Sequence, residues 1–365
     1  MQHIKSPDDL KKLAFGQLER LCAEIREFLI ENVSKTGGHL SSNLGVIELT
    51  VALHRVFSSP KDKIVFDVGH QCYTHKLLTG RRDEFAGLRQ AGGLSGFPNP
   101  RESEHDVFLA GHASTSISAA VGLARAKKLK GEDGFVFAII GDGAFTGGMI
   151  YEGINNIEGL DNLVLILNDN KMSISKNTGA LAGYFTRLRT SPQYYKAKTD
   201  VKSVLDKTPV IGQGLIRGIK NLKTSFRRKV YHSTFFEEMG FQYIGPVDGH
   251  NVADLCTLFA GVPHIDKPLF IHLETMKGKG FAPAEQNPGA FHGVGAFDAR
   301  KLADPDVSPS DSFSTVYGKA LCGLAQKDNR ICAITAAMKY GTGLQFMKKA
   351  YPERFFDVGL AEEHA

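Results

Sequence analysis

Acidic and amide side chains follow two apolar segments that the sequence predicts as strands. Asp142 lies in IIGDGA directly after one segment, and Asn170 lies in LNDN after another, 28 residues later. A carboxylate, an amide oxygen and the carbonyl of Met172 are hard ligands suited to Mg²⁺, with two diphosphate oxygens and one water completing six. Gly141 and Gly143 let the backbone approach phosphates closely. The two motifs predict a metal-bound diphosphate site at one edge of a sheet.

The two motifs are informative because they occur together. Gly-Asp-Gly alone is common in turns. Two ordinary strand–helix turns rarely carry both motifs at this interval, so the pair is much more specific. GxGxxG is absent from these strand ends, which argues against a Rossmann dinucleotide site.

We single out four of the histidines that stand beside glycine. Any one of them alone is more simply a packed or surface residue, but the recurrence indicates a shared pocket. Imidazole titrates near neutral pH and suits proton transfer. No HxxxH or HExxH spacing occurs, so a catalytic zinc is not indicated. The four pairs are Gly38-His39, Gly69-His70, Gly111-His112 and His292-Gly293.

The elements that must position these residues alternate between strands and helices. Apart from the first, the predicted strands are continuous apolar runs, typical of parallel strands buried on both faces. Helical patterns separate them, for example at 117–129 and 148–157. We therefore expect a doubly wound α/β domain with a mostly parallel sheet. The predicted strands are 64–68, 135–140, 163–167 and 269–273.

The first predicted helix begins at Ser6. Ser6 is a capping residue, Pro7 suits the first turn, and Asp9 completes a capping box. Apolar residues then recur at helical spacing until Gly37-Gly38 ends the helix.

A second α/β unit is predicted after a linker rich in Asp, Pro and Ser at 298–312. We expect a diphosphate- and Mg²⁺-binding domain over 1–297 and the truncated start of another domain over 313–365. The unit stops soon after its last strand, too early to close its own sheet. Its predicted elements are a helix at 314–326, a strand at 331–335, a helix at 344–350 and a strand at 354–358.

Composition is that of a globular protein, with 42% hydrophobic and 23% charged residues. The sequence contains no apolar run long enough for a transmembrane helix and no evident signal peptide. The five cysteines are scattered and odd in number, which favours reduced thiols and a cytoplasmic location.

The net charge of +5 is unevenly distributed. Residues 183–232 contain twelve Lys or Arg and two Asp or Glu, a balance of +10 that leaves −5 for the remainder. This pattern is unlike a uniformly basic nucleic-acid binder. We interpret the basic segment, about 182–232, as a mobile cover whose cations attract anionic ligands. A solvated helical face is the alternative.

Beyond these motifs, the chain resembles the 1-deoxy-D-xylulose-5-phosphate synthase family of transketolase-like enzymes. The match runs from about residue 35 to residue 365 with little change in order or spacing. The matching segments include SKTGGHLSSNLGVIELTVALH, DVGHQCYTHKLLTGRR, GGLSGFPNPRESEHDVF, GHASTSISAAVGLA, GDGAFTGGM, LNDNKMSIS, FEEMGFQYIGPVDGH, MKGKGFAPAE, FHGVGAFD, ITAAMKYGTGL and FFDVGLAEEHA.

The resemblance implies thiamine diphosphate as cofactor, held through Mg²⁺ by Asp142, Asn170 and the Met172 carbonyl. It implies that Glu362 hydrogen-bonds the aminopyrimidine ring. Ala113 and Phe281 depart mildly from the family, where serine and tyrosine are frequent. The groups facing the reaction centre would be His39, Lys277 and His292, and the cofactor contacts His70, Gly111, His112, Ala113, Gly143, Ala144, Asn170, Phe281 and Glu362.

The resemblance also implies an activity: a transferase that condenses pyruvate, with decarboxylation, and D-glyceraldehyde 3-phosphate to 1-deoxy-D-xylulose 5-phosphate. The product feeds isoprenoid precursor, thiamine and pyridoxal synthesis. The family is dimeric, so we expect a homodimer, with no nucleic-acid or membrane partner. The alternatives are another transketolase-like ketol transferase and a cofactor-binding fragment without turnover. We expect the 365-residue chain alone to be inactive.

The interpretation of the basic segment predicts that amide hydrogens over 182–229 exchange faster than those of the predicted strands. Hydrogen exchange followed by mass spectrometry measures this directly. Protection throughout the segment comparable with that of the strands would favour a packed helical face instead.

Overall fold

A computed structural model describes residues 1, 3–170, 202, 235–299 and 312–365. The basic segment (apart from residue 202), Met172 and most of the predicted linker lie outside the described residues. The predictions made for them are therefore left as predictions.

Five parallel strands form the main sheet in the order β1-β2-β3-β5-β4. Their register pairs Phe66 with Ile139 and Gly141 with Asn168, so the carboxyl ends of neighbouring strands reach the same edge. The four strands predicted from the sequence are confirmed, with bounds shifted by one or two residues. The strands are β1 (Lys63–Phe66), β2 (Val136–Gly141), β3 (Leu163–Asp169), β4 (Gln242–Asp248) and β5 (Leu269–Glu274).

Strand β4 was missed by sequence analysis because proline interrupts it. Pro246 has no backbone N–H to donate, and the register with β5 shifts between Ile244 and Val247. A proline of this kind is tolerated at an edge strand or an irregularity, and β4 lies at the edge of the sheet.

Helices cover both faces of the sheet. The bounds in this first domain are α1 (Pro7–Lys11), α2 (Phe15–Thr36), α3 (Ser41–Leu44), α4 (Ile47–Val56), α5 (Tyr73–Leu78), α6 (Ser116–Lys130), α7 (Gly148–Ile154), α8 (Phe235–Glu238), α9 (Val252–Ala260) and α10 (Ala282–Gln286).

Successive side chains of each strand enter two separate cores. Ile139 packs in the core formed with α2, α4 and α9, whereas Ile140 packs in the core formed with α6, α7 and α8. The handedness of the connections between strands explains why helices lie on both faces of the sheet. The chain passes from β1 to β3 in one direction and from β4 to β5 in the other, and right-handed crossovers then place their helices on opposite faces. The predicted doubly wound α/β fold is confirmed.

The prediction of one continuous helix from Ser6 was wrong. The chain breaks between α1 and α2, and Ser6 makes no side-chain capping bond. Asp9 instead accepts hydrogen bonds from the Lys5 amide and the Lys12 ammonium. The second helix, α2, begins after Ala14, whose N–H is accepted by the Gln17 side chain at 2.7 Å. The predicted end is confirmed, since α2 stops at Thr36.

The second unit has the predicted order of helix, strand, helix and strand. Ser312 caps its first helix by accepting the Thr315 N–H at 3.2 Å. The two strands pair in parallel and pack on the helices through a small core that includes Met347 and Phe355. Leu360 packs against the α6–α8 core of the first domain. The elements are α11 (Phe313–Lys327), β6 (Ala333–Thr335), α12 (Gln345–Ala350) and β7 (Phe355–Asp357).

Within the described parts of the chain, no helix combines the length and the apolar character needed to cross a membrane.

A buried polar chain ties α4 and α5 to the loop that precedes α6. Asp106 accepts two hydrogen bonds from Arg81, at 2.6 and 2.8 Å, and one from His75 Nε2 at 3.0 Å. His75 Nδ1 lies 2.8 Å from His54 Nε2. Because the carboxylate must receive the His75 Nε2–H, His75 Nδ1 is the acceptor and His54 donates to it. This chain holds the loop that brings Phe97 against His39.

Burial makes both imidazoles of this chain harder to protonate. Complete burial holds the pKa of His54 well below its ordinary value, and the neighbouring His75 adds to the effect. Burial also lowers the pKa of His75, although Asp106 opposes this. Unfolding would release both rings to titrate near pH 6.5. The unfolded state therefore binds more protons below that pH, and stability falls as the solution becomes acidic.

We predict that His54→Gln weakens this acid sensitivity. Gln can still donate to His75 but does not titrate, so the loss of unfolding free energy from about pH 7.5 to about pH 5.5 should shrink by about 1.4 kcal/mol. Urea unfolding followed by circular dichroism at both pH values measures the change. Asn162→Ala is the control, because it removes a hydrogen bond to the Ala124 carbonyl but no titrating group. An unchanged pH dependence in His54→Gln would contradict the assignment.

Candidate active site

The predicted metal ligands lie at the carboxyl ends of adjacent strands. Asp142 follows β2 and is 3% exposed, and Asn170 follows β3 and is partly buried. The Asp142 amide donates to the Asn168 carbonyl at 3.3 Å, which joins the two strand ends. A Cβ built on Gly141 meets no atom within 4 Å, so the backbone there faces open space. Met172 lies outside the described residues.

Lys277 lies shortly after β5 and brings a cation to this edge. Its side chain is buried, and burial lowers its pKa to about 8, while the Asp142 carboxylate acts in the opposite direction. The carboxylate of Asp142, the candidate metal ligand, therefore favours the charged form of Lys277.

Three of the four histidines singled out in the sequence come together in what we call the histidine triad: His39, His70 and His292. Their ring centroids lie 5.1 Å apart for His39 and His70, 5.4 Å for His39 and His292, and 5.0 Å for His70 and His292. Ser42 Oγ is hydrogen-bonded to His292 Nδ1 at 3.2 Å. Each of the three residues keeps part of its surface accessible. The triad thus lines a cleft rather than a closed core.

The electrostatic environment keeps the triad neutral. Burial lowers the pKa of His39 to about 4, with Arg89 and Lys277 adding to the effect. Burial also holds the pKa values of His70 and His292 well below the ordinary value, reinforced by the other rings and by Lys277. At neutral pH these groups can donate or accept a hydrogen bond as neutral imidazoles. They are poor sources of an imidazolium proton.

Two glycines explain how the backbone brings these rings so close. A Cβ on Gly38, whose φ is +146°, would lie 2.9 Å from Tyr73 Oη. A Cβ on Gly69, whose φ is +91°, would lie 2.6 Å from Pro98 Cδ. Both positions require a backbone conformation and a close approach that other residues resist. The Gly-His pairs of the sequence therefore have a steric cause.

The loop 111–114 is tethered at two points. Asp67, directly after β1, accepts the Ser114 N–H at 2.9 Å and the Ser116 hydroxyl at 2.7 Å. Ser114 Oγ donates to the Ala144 carbonyl at 2.7 Å, which links this loop to the turn that carries Asp142. Ala144 and Gly143 are buried in that turn.

The remaining residues predicted for the site lie around this centre. Gly111 and His112 are exposed on the loop, so His112 stands apart from the triad, and Ala113 is partly buried. Phe281 packs edge-to-face on Phe291, the neighbour of His292, with ring centroids 5.5 Å apart.

Glu362 is exposed and lies on the side of the tethered loop. Asp67 has its pKa raised mainly by burial, and the Glu362 charge adds to this effect. Nearby, the Leu360 carbonyl lies 3.4 Å from a Cβ built on Gly147, so this terminal segment touches the turn after β2.

Sequence analysis missed a buried polar row beneath Asn170. Asp169 Oδ2 lies 3.0 Å from His272 Nε2, and His272 Nδ1 lies 2.9 Å from Tyr243 Oη. Asp169 and His272 are fully buried. The row joins β3, β5 and β4 just inside the edge where the metal ligands are expected. The polar residues NDN after an apolar run were the available signal.

Asn43 and Tyr73 were also missed, although they contact the backbone of the triad. Asn43 Nδ2 donates to the carbonyls of His39 and His70, and Tyr73 Oη accepts the His39 N–H. Nothing in the spacing of the sequence marks either residue.

Comparison with known sequences places this geometry in a family. The profile described as 1-deoxy-D-xylulose-5-phosphate synthase matches residues 1–275, and that of the transketolase pyrimidine-binding domain matches residues 311–365. The 1-deoxy-D-xylulose-5-phosphate synthase of Clostridium kluyveri is 50% identical over 366 residues, covering 100% of this chain and 58% of that protein. That of Desulforudis audaxviator is 52% identical over 358 residues, covering 98% of this chain and 56% of that protein.

The chain therefore spans less than two thirds of the length of these relatives. Among solved structures, transketolase from Campylobacter jejuni aligns with a TM-score of 0.56 at 18% identity, covering 96% of this chain and 62% of that one. Transketolase from Leishmania mexicana gives 0.53 at 16% identity, with 94% and 61% covered. These likenesses show a transketolase-like fold. The profile match over three quarters of its length shows that the chain belongs to the 1-deoxy-D-xylulose-5-phosphate synthase family.

Proposed function

We propose that this chain holds thiamine diphosphate through Mg²⁺ for a transferase reaction that condenses pyruvate, with loss of CO₂, and D-glyceraldehyde 3-phosphate. The product is 1-deoxy-D-xylulose 5-phosphate, a precursor for isoprenoid, thiamine and pyridoxal synthesis. The observation that carries the proposal is the meeting of Asp142 and Asn170 at adjacent strand ends, beside Lys277. Membership of a family named for this activity supports the same conclusion.

The residues at this edge fit a metal-bound diphosphate. Asp142 and Asn170 offer hard oxygen ligands, and the Met172 carbonyl is the third proposed ligand. Open space beside Gly141 and Gly111 leaves room for a phosphate against the backbone. The further proposed cofactor contacts are His70, His112, Ala113, Gly143, Ala144 and Phe281, with Glu362 at the aminopyrimidine ring.

Thiamine diphosphate, when bound, supplies a nucleophilic carbon and accepts the electron pair released by decarboxylation. The chain's own residues orient the reactants. His39 and His292, as neutral imidazoles, hydrogen-bond the substrate oxygens and relay protons between them. Lys277 supplies positive charge at the same place, because its pKa of about 8 keeps it mostly protonated at neutral pH. Their burial strengthens these interactions by excluding water.

Three further proposals concern organisation. The diphosphate-binding domain covers 1–297, a linker covers 298–312, and a pyrimidine-binding domain begins at 313. The basic segment, about 182–232, covers the mouth of the site. The functional protein is a cytoplasmic homodimer.

Two other functions are alternatives, because the fold is shared with transketolases and a fold does not determine an activity. One is ketol transfer from a ketose phosphate donor instead of pyruvate. The other is binding of the cofactor without turnover. Donor specificity distinguishes the first, and cofactor binding measured beside activity distinguishes the second.

We predict that Asp142→Ala abolishes Mg²⁺-dependent binding of thiamine diphosphate. The variant loses the one charged side chain among the proposed ligands, so only neutral oxygens face the dication. Isothermal titration calorimetry of the parent chain and the variant measures the effect. Asp161→Ala is the matched control, since it removes an exposed carboxylate that pairs with Lys128. Binding by Asp142→Ala within about threefold of the parent, a difference of about 0.6 kcal/mol, would reject the ligand assignment.

We predict that the purified 365-residue chain binds the cofactor but turns over far more slowly than the ~1–10³ s⁻¹ typical of enzymes. The reason is the exposure of Glu362, because a side chain in water is not held in a fixed position against the aminopyrimidine ring. Product formation is measured with pyruvate or a ketose phosphate as donor and D-glyceraldehyde 3-phosphate as acceptor. Ordinary turnover with pyruvate would refute the prediction about Glu362, and product from the ketose alone would favour ketol transfer.

A further inference from the structure

Asn43 occupies the centre of the backbone that supports the histidine triad. It lies in α3 and is fully buried. Its Nδ2 donates to the His39 carbonyl at 2.6 Å and to the His70 carbonyl at 2.7 Å, and its Oδ1 accepts the Tyr73 N–H at 2.9 Å. The amide orientation is fixed by these partners, because a flipped side chain would set its oxygen against two carbonyl oxygens.

This one side chain joins three segments that are distant in sequence. His39 follows α2, His70 follows β1, and Tyr73 begins α5. Tyr73 closes the arrangement, because its Oη accepts the His39 N–H at 3.1 Å. The separation of the two histidine backbones is therefore set by hydrogen bonds to Asn43 and Tyr73. The ring centroids of His39 and His70 lie 5.1 Å apart as a result.

Apart from ring packing, the rings of His39 and His70 have few contacts shown to orient them. Their buried Nδ1 atoms have no hydrogen-bond partner among the described residues. His292 differs, because Ser42 Oγ binds its Nδ1. An imidazole whose Nδ1 makes no hydrogen bond takes more of its direction from its backbone and from packing. For two members of the triad, that backbone is held by Asn43.

We propose that Asn43 is a positioning residue that sets the geometry of the active-site histidines through the carbonyls of His39 and His70. The inference rests on the proposed function in one respect: that function gives the triad its role in substrate binding. Asn43 itself is buried beneath the triad and acts through the two histidines.

The test follows the histidines themselves by NMR, in protein carrying isotope-labelled histidine and without cofactor. Asn43→Ala removes all three side-chain hydrogen bonds. Asn43→Leu keeps nearly the same size and removes the same three bonds without adding a charge or a new donor. Asn162→Ala is the control, because it deletes a single partly buried bond, to the Ala124 carbonyl, far from the triad in sequence.

We expect His39 and His70 to turn toward solvent in both Asn43 variants. Their pKa values should then rise by about one unit or more toward the ordinary value, whereas Asn162→Ala leaves them unchanged. If either Asn43 variant titrates like the parent protein, the proposal is overturned. Cofactor binding by the parent chain is measured separately, so a failure of the proposed function is distinguishable from a failure of this inference.

Tyr73→Phe keeps the inference testable if the Asn43 variants do not fold. The substitution preserves the ring that packs near Phe85 and removes the hydroxyl, which accepts the His39 N–H and also interacts with Arg89. The expected result is a shift of the His39 signals with little change at His70. Unchanged His39 signals would show that backbone hydrogen bonds do not set the ring, and would overturn the proposal.

Discussion

The parallel pairing of β2 with β3 is the constraint on which the rest of the site depends. Because Gly141 lies opposite Asn168, the residues that follow each strand emerge side by side. Asp142 and Asn170 are separated by 28 residues in the sequence, and the pairing of the two strands brings them to the same edge of the sheet. The two cores help to fix this register, since a slip of one residue would exchange the side chains that fill them.

Burial then shifts the pKa values of the histidine triad and of Lys277 at this edge. The triad loses its tendency to protonate, whereas Lys277 retains most of its charge because Asp142 compensates part of the desolvation. The result is a cleft with neutral donors on one side and a coupled acid and base on the other. An arrangement of this kind recognises oxygen-rich anions more through fixed dipoles than through mobile charge.

Much of this arrangement could be predicted from the sequence, because its signals are local. A polar residue directly after an apolar run identified Asp142 and Asn170, and glycine before histidine identified His39 and His70. Three kinds of feature could not be predicted. Pro246 masked an edge strand, and a glutamine cap divided the first helix. Asn43 depends on which backbone carbonyls come within hydrogen-bond distance, a property of the folded chain alone.

The division of each strand between two cores also determines where this domain can change length. Removing one residue from β2 would exchange the places of Ile139 and Ile140 and misdirect Asp142, so the strands tolerate no insertion or deletion. The turns at the opposite, amino-terminal edge of the sheet are free of this restriction, since 131–133 and 158–159 are exposed. Epitope tags, fluorophores or whole inserted domains placed there would leave the edge that carries Asp142 undisturbed.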